Sequence, residues 1–181
     1  PSPPKSRPLA GIGLLSIPAD RSDNRGETGT ILLYREPGVG RIAEMELSDF
    51  PSMALAIKAS EGLQHIAVTR AKGAWLKVVF DDSGREGWLQ TDRGWEFKTW
   101  QNYLKGRGVK PLNGLRKELY QLRTAPSPSS QTIAAVSRDK KLRVVELEDS
   151  WILVLVDFAS SGWIRWKDDD GRLTISAEEQ K

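Results

Sequence analysis

Ser150-Trp151-Ile152-Leu153-Val154, followed by Gly162-Trp163-Ile164, repeats an earlier stretch of the chain: Ala74-Trp75-Leu76-Lys77-Val78 followed by Gly87-Trp88-Leu89. An Arg and a Pro precede each, as Arg35-Glu36-Pro37-Gly38 and as Arg123-Thr124-Ala125-Pro126. The first Trp and the Gly-Trp tryptophan lie 13 positions apart in one copy and 12 in the other. An ordered triplet at near-constant spacing marks a repeated structural unit. The chain therefore reads as two related β modules in tandem.

Working outward, the apolar runs are short and end in turn residues. Asp81-Asp82-Ser83-Gly84 is predicted to turn Val78-Val79-Phe80 into Arg85–Leu89, and Ala159-Ser160-Ser161-Gly162 to turn Leu153–Phe158 into Trp163-Ile164. Asp168-Asp169-Asp170-Gly171 does the same between Trp166-Lys167 and Leu173-Thr174-Ile175. Asp and Gly supply the left-handed backbone angles of tight hairpins. Short strands at this spacing predict small all-β barrels or sandwiches.

The first copy is longer: Arg35 to Trp75 spans 40 positions and Arg123 to Trp151 spans 28. The extra residues are placed within 47–62. Ser48-Asp49-Phe50-Pro51 offers a helix cap, whereas the alternation of Met53, Leu55 and Ile57 favours a strand turning at Glu61-Gly62 toward Ile66 and Val68. The strand is the preferred reading. The expected organisation is a Pro-rich and polar lead-in (1–29), a first module (30–99), a basic linker (100–118), a second module (119–176) and a polar tail (177–181). Gly106, Gly108, Pro111 and Gly114 supply the linker's breakers, after one helical turn around Trp100 and Tyr103.

Composition narrows the function classes. Of 181 residues, 28% are charged and 39% hydrophobic, which suits a folded domain rather than a disordered one. No apolar run approaches the ~20 residues of a membrane-spanning helix. The absence of cysteine excludes disulfides, a thiol nucleophile and thiolate metal sites. The start Pro1-Ser2-Pro3-Pro4-Lys5, with neither Met nor a charged-then-apolar leader, reads as a trimmed or processed end. Net charge is +3 but uneven: Lys98, Lys105, Arg107, Lys110, Arg116 and Lys117 occur with no acidic residue among them. Such a stretch could steer an anionic partner, although a solvated linker is the plainer reading.

The second copy, with Leu122-Arg123-Thr124-Ala125-Pro126-Ser127-Pro128-Ser129-Ser130, then Val144-Val145, Ser150–Val154 and Gly162-Trp163-Ile164, resembles the bacterial SH3-type domain. The first copy resembles the Arg-x-Pro-Gly version of the same opening. The resemblance covers residues 31–97 and 119–176. It implies two tandem SH3-like small β-barrels joined by a basic linker, commonly exported, which target cell-wall peptidoglycan or mediate protein contacts. The chain departs from the pattern in the insertion of the first copy and in Leu153 and Leu155, where polar residues are usual. No catalytic cell-wall domain accompanies the repeats.

Other motifs yield to plainer readings. Gly38-Val39-Gly40-Arg41-Ile42-Ala43 fits the dinucleotide fingerprint, but Asp49 and Pro51 follow too soon for the phosphate-binding helix. Ser137-Arg138-Asp139-Lys140 matches Ser-x-x-Lys without its partner motifs. His65, the one histidine, has no second ligand or nucleophile near it in sequence and reads as a satisfied strand residue. Asp168, Asp169 and Asp170 read as a solvated turn rather than a cation site. Neither a catalytic residue, a metal site nor a cofactor is expected.

Binding candidates are therefore aromatic. Trp75, Trp88, Trp151 and Trp163 recur in both copies and are read as scaffold. Trp95, Trp100, Tyr103 and Trp166 do not recur, and with Arg93, Lys98 and Lys105 they could line a cleft for an anionic polymer. Leu153 and Leu155 make the strand Trp151–Phe158 apolar on both faces, where the first copy has Lys77. They are the expected interface with the first module, the linker or another chain. The expected function is non-catalytic binding or scaffolding in the bacterial envelope, periplasmic or otherwise outside the cytoplasm, with a cell-wall glycan peptide or an envelope protein as partner. The alternatives are a nucleic-acid-associated module and an interaction module whose Pro1, Pro3, Pro4 and Pro8 occupy a neighbour's groove.

Overall fold

The computed structural model of the chain describes residues 6–18, 30–58 and 62–178. It is all-β apart from one short helix and two 3-10 turns, and holds two antiparallel seven-stranded sheets. The chain divides into two compact units, one from residues 9–54 and 59–100, the other from 1–8, 55–58 and 101–181.

The first unit contains β1 (Gly13–Pro18), β2 (Thr30–Glu36), β3 (Val39–Glu46), β4 (Leu63–Lys72), β5 (Trp75–Val79), β6 (Glu86–Gln90) and β7 (Glu96–Thr99). Their order across the sheet is β3-β2-β6-β5-β4-β1-β7. The helix α1 (Trp100–Leu104) precedes the second set: β8 (Gly108–Pro111), β9 (Gln121–Arg123), β10 (Thr132–Ala135), β11 (Leu142–Glu148), β12 (Trp151–Val156), β13 (Ser160–Arg165) and β14 (Ile175–Ala177). Their order is β10-β9-β13-β12-β11-β8-β14. Adding seven to each label of the first order gives the second. The repeat in sequence is thus a repeat in topology. Each sheet runs from one edge strand to the other without closing into a barrel among the described residues.

Two boundaries differ from expectation. The lead-in carries β1, which lies between β4 and β7 and buries Leu14, Leu15 and Ile17 almost completely. The residues read as a basic linker carry β8, paired with both β11 and β14. Interior strands tolerate glycine where a neighbouring backbone approaches closely, so the Gly-rich composition of both segments concealed them. Arg107 is 8% exposed, lies over the Tyr103 ring at 3.9 Å, and donates to Tyr103 O and Glu178 O. It is a packed residue, unavailable to an anionic partner.

Register explains the shared triplet. Tyr34 pairs with Trp88, and Arg123 with Trp163, so Tyr34 rather than Arg35 is the equivalent of Arg123. One residue further back, Leu33 and Leu122 occupy matching positions, and opposite them the register slips at Ile42 and at Ile133. Both slips aim at the glycine of Gly-Trp. A Cβ on Gly87 would lie 3.2 Å from Leu33 Cβ and Ile42 Cδ1; on Gly162 it would lie 3.2 Å from Leu122 Cβ and 3.3 Å from Ile133 Cδ1. The glycine recurs because the bulged isoleucine packs over its bare Cα.

The spacing of 13 against 12 is a difference in one turn. Phe80 N–H donates to Arg85 O across Asp81–Gly84, a four-residue loop. Asp81 caps that loop: its Oδ1 accepts the Ser83 and Arg85 amides and the Ser83 hydroxyl. The Arg85 guanidinium on Oδ2, with the Arg85 amide, holds the Asp81 carboxyl down to about 2. In the second unit Val156 pairs directly with Ser160, leaving Asp157-Phe158-Ala159. The turn therefore precedes the predicted Ala159–Gly162, and Phe158 is 98% exposed rather than in the core.

The extra residues of the first copy do fall between β3 and β4. They form a 3-10 turn at Leu47–Asp49 followed by turns, instead of the expected strand. Phe50 and Met53 are buried and Leu55 is 51% exposed. Pro51 supplies no backbone donor for a ladder. Ile57 makes an isolated bridge to Ala177 within the second unit. The predicted turn at Glu61 lies outside the described residues.

The predicted Asp168–Gly171 turn is a hairpin, with Asp168 N–H bonded to Arg172 O and Gly171 N–H to Asp168 O. Asp168 is 7% exposed. Its carboxylate accepts the amides of Asp170 and Arg172 and pairs with Arg7, while Leu173 N–H donates to Pro8 O. The described part of the Pro-rich start is therefore engaged by its own chain; Pro1, Pro3 and Pro4 lie outside the described residues. Burial alone would raise the Asp168 carboxyl, but the hydrogen bonds from Arg172, Arg7 and Asp170 outweigh it and lower its pKa. A lowered carboxyl stabilises the fold above about pH 4 and loses that contribution as acid protonates it. Asp168→Asn should therefore lower the urea midpoint at pH 7, and the gap to wild type should narrow on acidification. An unchanging gap would refute the assignment.

Candidate functional site

The sheet of the first unit has an inner face and an outer one. Leu33, Leu76, Val78 and Leu89 point inward with Leu15, Ile17, Ile66 and Val68. Strand alternation sends Tyr34, Trp75, Trp88 and Gln90 to the other face. There Tyr34 and Trp75 meet edge to face, ring centroids 5.6 Å apart. Together with half-buried Trp95 they wall a cavity of about 470 Å³, to which Thr30, Gln90 and Asp92 add polar groups. Gly38, at φ +76, turns the β2–β3 hairpin, and a Cβ placed on it would lie 3.7 Å from the Trp75 ring.

Each group is held by its own element. Trp75 opposes Gln90 on the β5–β6 ladder. Thr91 N–H donates to Ala74 O, and Trp95 N–H to Asp92 O, which fixes the loop carrying Trp95, a residue that packs partly on the inner core and partly lines the cleft. Asp92 Oδ1 accepts the Arg93 amide at 2.7 Å. Thr30 Oγ1 donates to Glu44 at 2.8 Å.

The second unit, at equivalent positions, is built differently. Trp151 takes the place of Trp75, Arg123 that of Tyr34 and Arg165 that of Gln90. By the β14 register Ile175 stands where Trp95 stands. The Arg165 guanidinium lies 5.4 Å from the Trp151 ring centre and is tied to Asp169 at 2.7 Å. Arg123 is spent on Ser130 O and Gln121. One copy leaves its aromatic face open; the other covers it with a cation.

A second contrast runs beside the cleft. Directly paired residues across five strands place Arg41, Tyr34, Trp88, Lys77 and Arg70 in one row of the first unit. The same row in the second unit reads Thr132, Arg123, Trp163, Leu153 and Glu146. Lys77 reaches Glu86 at 3.5 Å.

Of the residues selected from sequence, Trp95 alone lines the cleft. Trp100 is 3% exposed and donates Nε1–H to Ala10 O at 2.8 Å; Trp166 is 3% exposed and donates to Asp149 O at 2.9 Å. Tyr103 is buried under Arg107. These three are packing residues, because an indole or phenol that finds its polar partner internally is sealed in the core. Arg93 is exposed one turn from Trp95, and Lys98 reaches Glu96 at 3.6 Å; Lys105 belongs to the second unit. Within the first unit, Trp95 is the member of the set that lines this cleft. Lys77 and Leu153 are equivalent, each paired with the Trp of Gly-Trp; Leu153 is half-buried against the Trp163 strand and Leu155 is 36% exposed.

Tyr34, Trp75 and Gln90 were missed. The recurrence of Trp75 argued for scaffold, and the one-residue offset between Arg35 and Arg123 hid the replacement of Tyr34 by arginine. His65 is 7% exposed, with its Nδ1 2.9 Å from Ser16 Oγ, a satisfied strand residue as read. Gly38 and Gly40 sit in the β2–β3 hairpin, not before a helix. Among the described residues no group of three His, Cys, Asp or Glu could hold a metal, and no helix is long and apolar enough to cross a membrane.

Neither a family profile nor a curated protein matches the chain. Among solved structures, NlpC1 from Trichomonas vaginalis aligns over 92% of this chain at 9% identity and a TM-score of 0.35. The chain spans about half of that protein's length, 51%. So distant a likeness carries no argument.

Proposed function

We propose that the chain is a non-catalytic binding protein of the bacterial envelope, made of two SH3-like modules. In this reading the first binds a glycan or peptide of the cell wall in the Tyr34–Trp75–Trp95 cleft. The observation that carries it is the contrast between copies: one aromatic face is open, and its equivalent is covered by Arg165. A fold that keeps the same strand order twice but seals one cleft has its binding role in the other. The SH3-like reading draws on the resemblance and on the strand order. In each unit a hairpin follows the first strand, three strands then meander, and the last strand returns to the first. The polar groups around the aromatic walls suit a ligand with both rings or methyls and hydrogen-bonding groups.

Pull-down on purified sacculi tests this. Wild type should be retained above an albumin control, and Trp75→Ala should weaken retention about tenfold or more, as loss of a central aromatic anchor does. Retention of wild type at the albumin level would overturn the cell-wall ligand. A second reading, a nucleic-acid-associated module, is favoured by the Arg41–Tyr34–Trp88–Lys77–Arg70 row. Its mark is an affinity for oligonucleotides that falls steeply with salt.

A further inference from the structure

Among the described residues, the tip of the β12–β13 hairpin is where two consecutive residues other than glycine take a positive φ; elsewhere Asp149 does so singly. Asp157 and Phe158 both adopt left-handed backbone angles, φ 50 and φ 62, without being glycine. For a bulky residue this is a strained conformation, retained where its surroundings over-determine it. Phe158 is also 98% exposed, so packing does not explain it; the turn closed by Ala159 N–H on Val156 O asks for left-handed angles at both central positions, where Gly or Asn is usual and phenylalanine is not. The equivalent turn of the first unit shows the ordinary solution: Asp81, Asp82 and Ser83, with Gly84 at φ +87.

What surrounds the tip is basic. Lys140 grips the Asp157 carboxylate at 2.6 and 2.7 Å, which brings the 137–141 turn against the hairpin. That turn supplies Arg138 and Lys141, both exposed. Arg143 is paired across the ladder with exposed Leu155, and it reaches Gly106 O at 2.8 Å beside Lys105. Against these five cations stand Asp139, Asp157 and Glu178, the last bridged to Lys141 at 3.2 Å. Phenylalanine held out on a hairpin tip, beside a turn and strand rich in lysine and arginine, matches the chemistry of an anionic lipid surface: apolar below, negative at the headgroups.

We propose that the Asp157–Phe158 tip of the second unit docks on an anionic membrane surface. Phe158 enters the headgroup–acyl boundary, while Arg138, Lys141 and Arg143 meet lipid phosphates. The strained turn then has a purpose. It holds the ring away from its own sheet, and the Lys140–Asp157 pair ties the tip to the 137–141 turn.

Co-sedimentation of the full chain with vesicles decides it. Wild type should bind phosphatidylcholine vesicles containing phosphatidylglycerol and be released by salt, and should not bind pure phosphatidylcholine. Phe158→Gly, which accepts the left-handed angle, should fold at least as stably yet bind about tenfold or more weakly. Arg138→Ala with Lys141→Ala should weaken binding to a similar degree. Val39→Ser, at a 67% exposed apolar position of the first unit, should change nothing. Absence of binding to anionic vesicles, equal binding to neutral ones, or unchanged binding by Phe158→Gly would each overturn the proposal. Retention of Phe158→Gly on sacculi is independent of these outcomes.

Discussion

Gly13→Ala is expected to cost about 3 kcal/mol or more of folding free energy and to free β7 from the first sheet. A Cβ at Gly13 would lie 2.2 Å from Lys98 O, 2.8 Å from Phe97 Cε2 and 2.9 Å from Thr99 Cα. Two of these three atoms are backbone, so no side-chain rotation relieves the clash. Nor can the strand retreat, because Gly13 is paired with Val68 on its other side. Its φ lies outside the left-handed region, so in open space alanine would stabilise through the unfolded chain by about 0.4–1 kcal/mol. The sign is therefore diagnostic. Urea denaturation with a wild-type or raised midpoint would show that β7 does not sit where described; faster amide exchange confined to β1 and β7 would support it.

Trp100→Ala should cost about 3–5 kcal/mol, the range for emptying a buried indole. Trp100 is 3% exposed; its Nε1–H is bonded to Ala10 O and its amide to Ile12 O. Trp100→Phe keeps most of the bulk but orphans the Ala10 carbonyl, a cost of about 1–3 kcal/mol. Trp75→Ala, by contrast, opens a half-exposed cleft and should lose ligand before it loses stability. The three variants separate scaffold from site. Trp100→Ala with a wild-type midpoint and impaired ligand binding would return Trp100 to the site.

The β class, the repeat and two of three predicted hairpins were legible because they rest on local chemistry. Alternation marks β5 and β12, and Asp81–Gly84 and Asp168–Gly171 are turns by composition alone. What was not legible depends on partners distant in sequence. Gly108 in β8 reads as a breaker, and nothing near Gly13 in sequence shows that the β7 backbone needs its missing Cβ. The turn at Asp157-Phe158-Ala159 was concealed by Phe158, because propensity assigns tips to Gly, Asn, Asp and Ser. Half of the cleft stayed hidden for a related reason: without the pairing of Tyr34 with Trp88 and of Arg123 with Trp163, Tyr34 cannot be set against Arg123.

The identical strand order of the two sheets carries a hazard for a chain that is still folding. β7 and β14 are interchangeable in topology, each returning to the first strand of its own unit. Repeats of this kind are prone to pairing with the wrong copy. The edges are keyed against it. Phe97 opposes Leu15 and needs the bare Cα of Gly13 beside it, whereas its counterpart Ala177 opposes Val109 next to Arg107. A β7 laid on β8 would press the Phe97 ring onto a long, already committed arginine. The divergence between copies thus serves as an address label that sends each closing strand home.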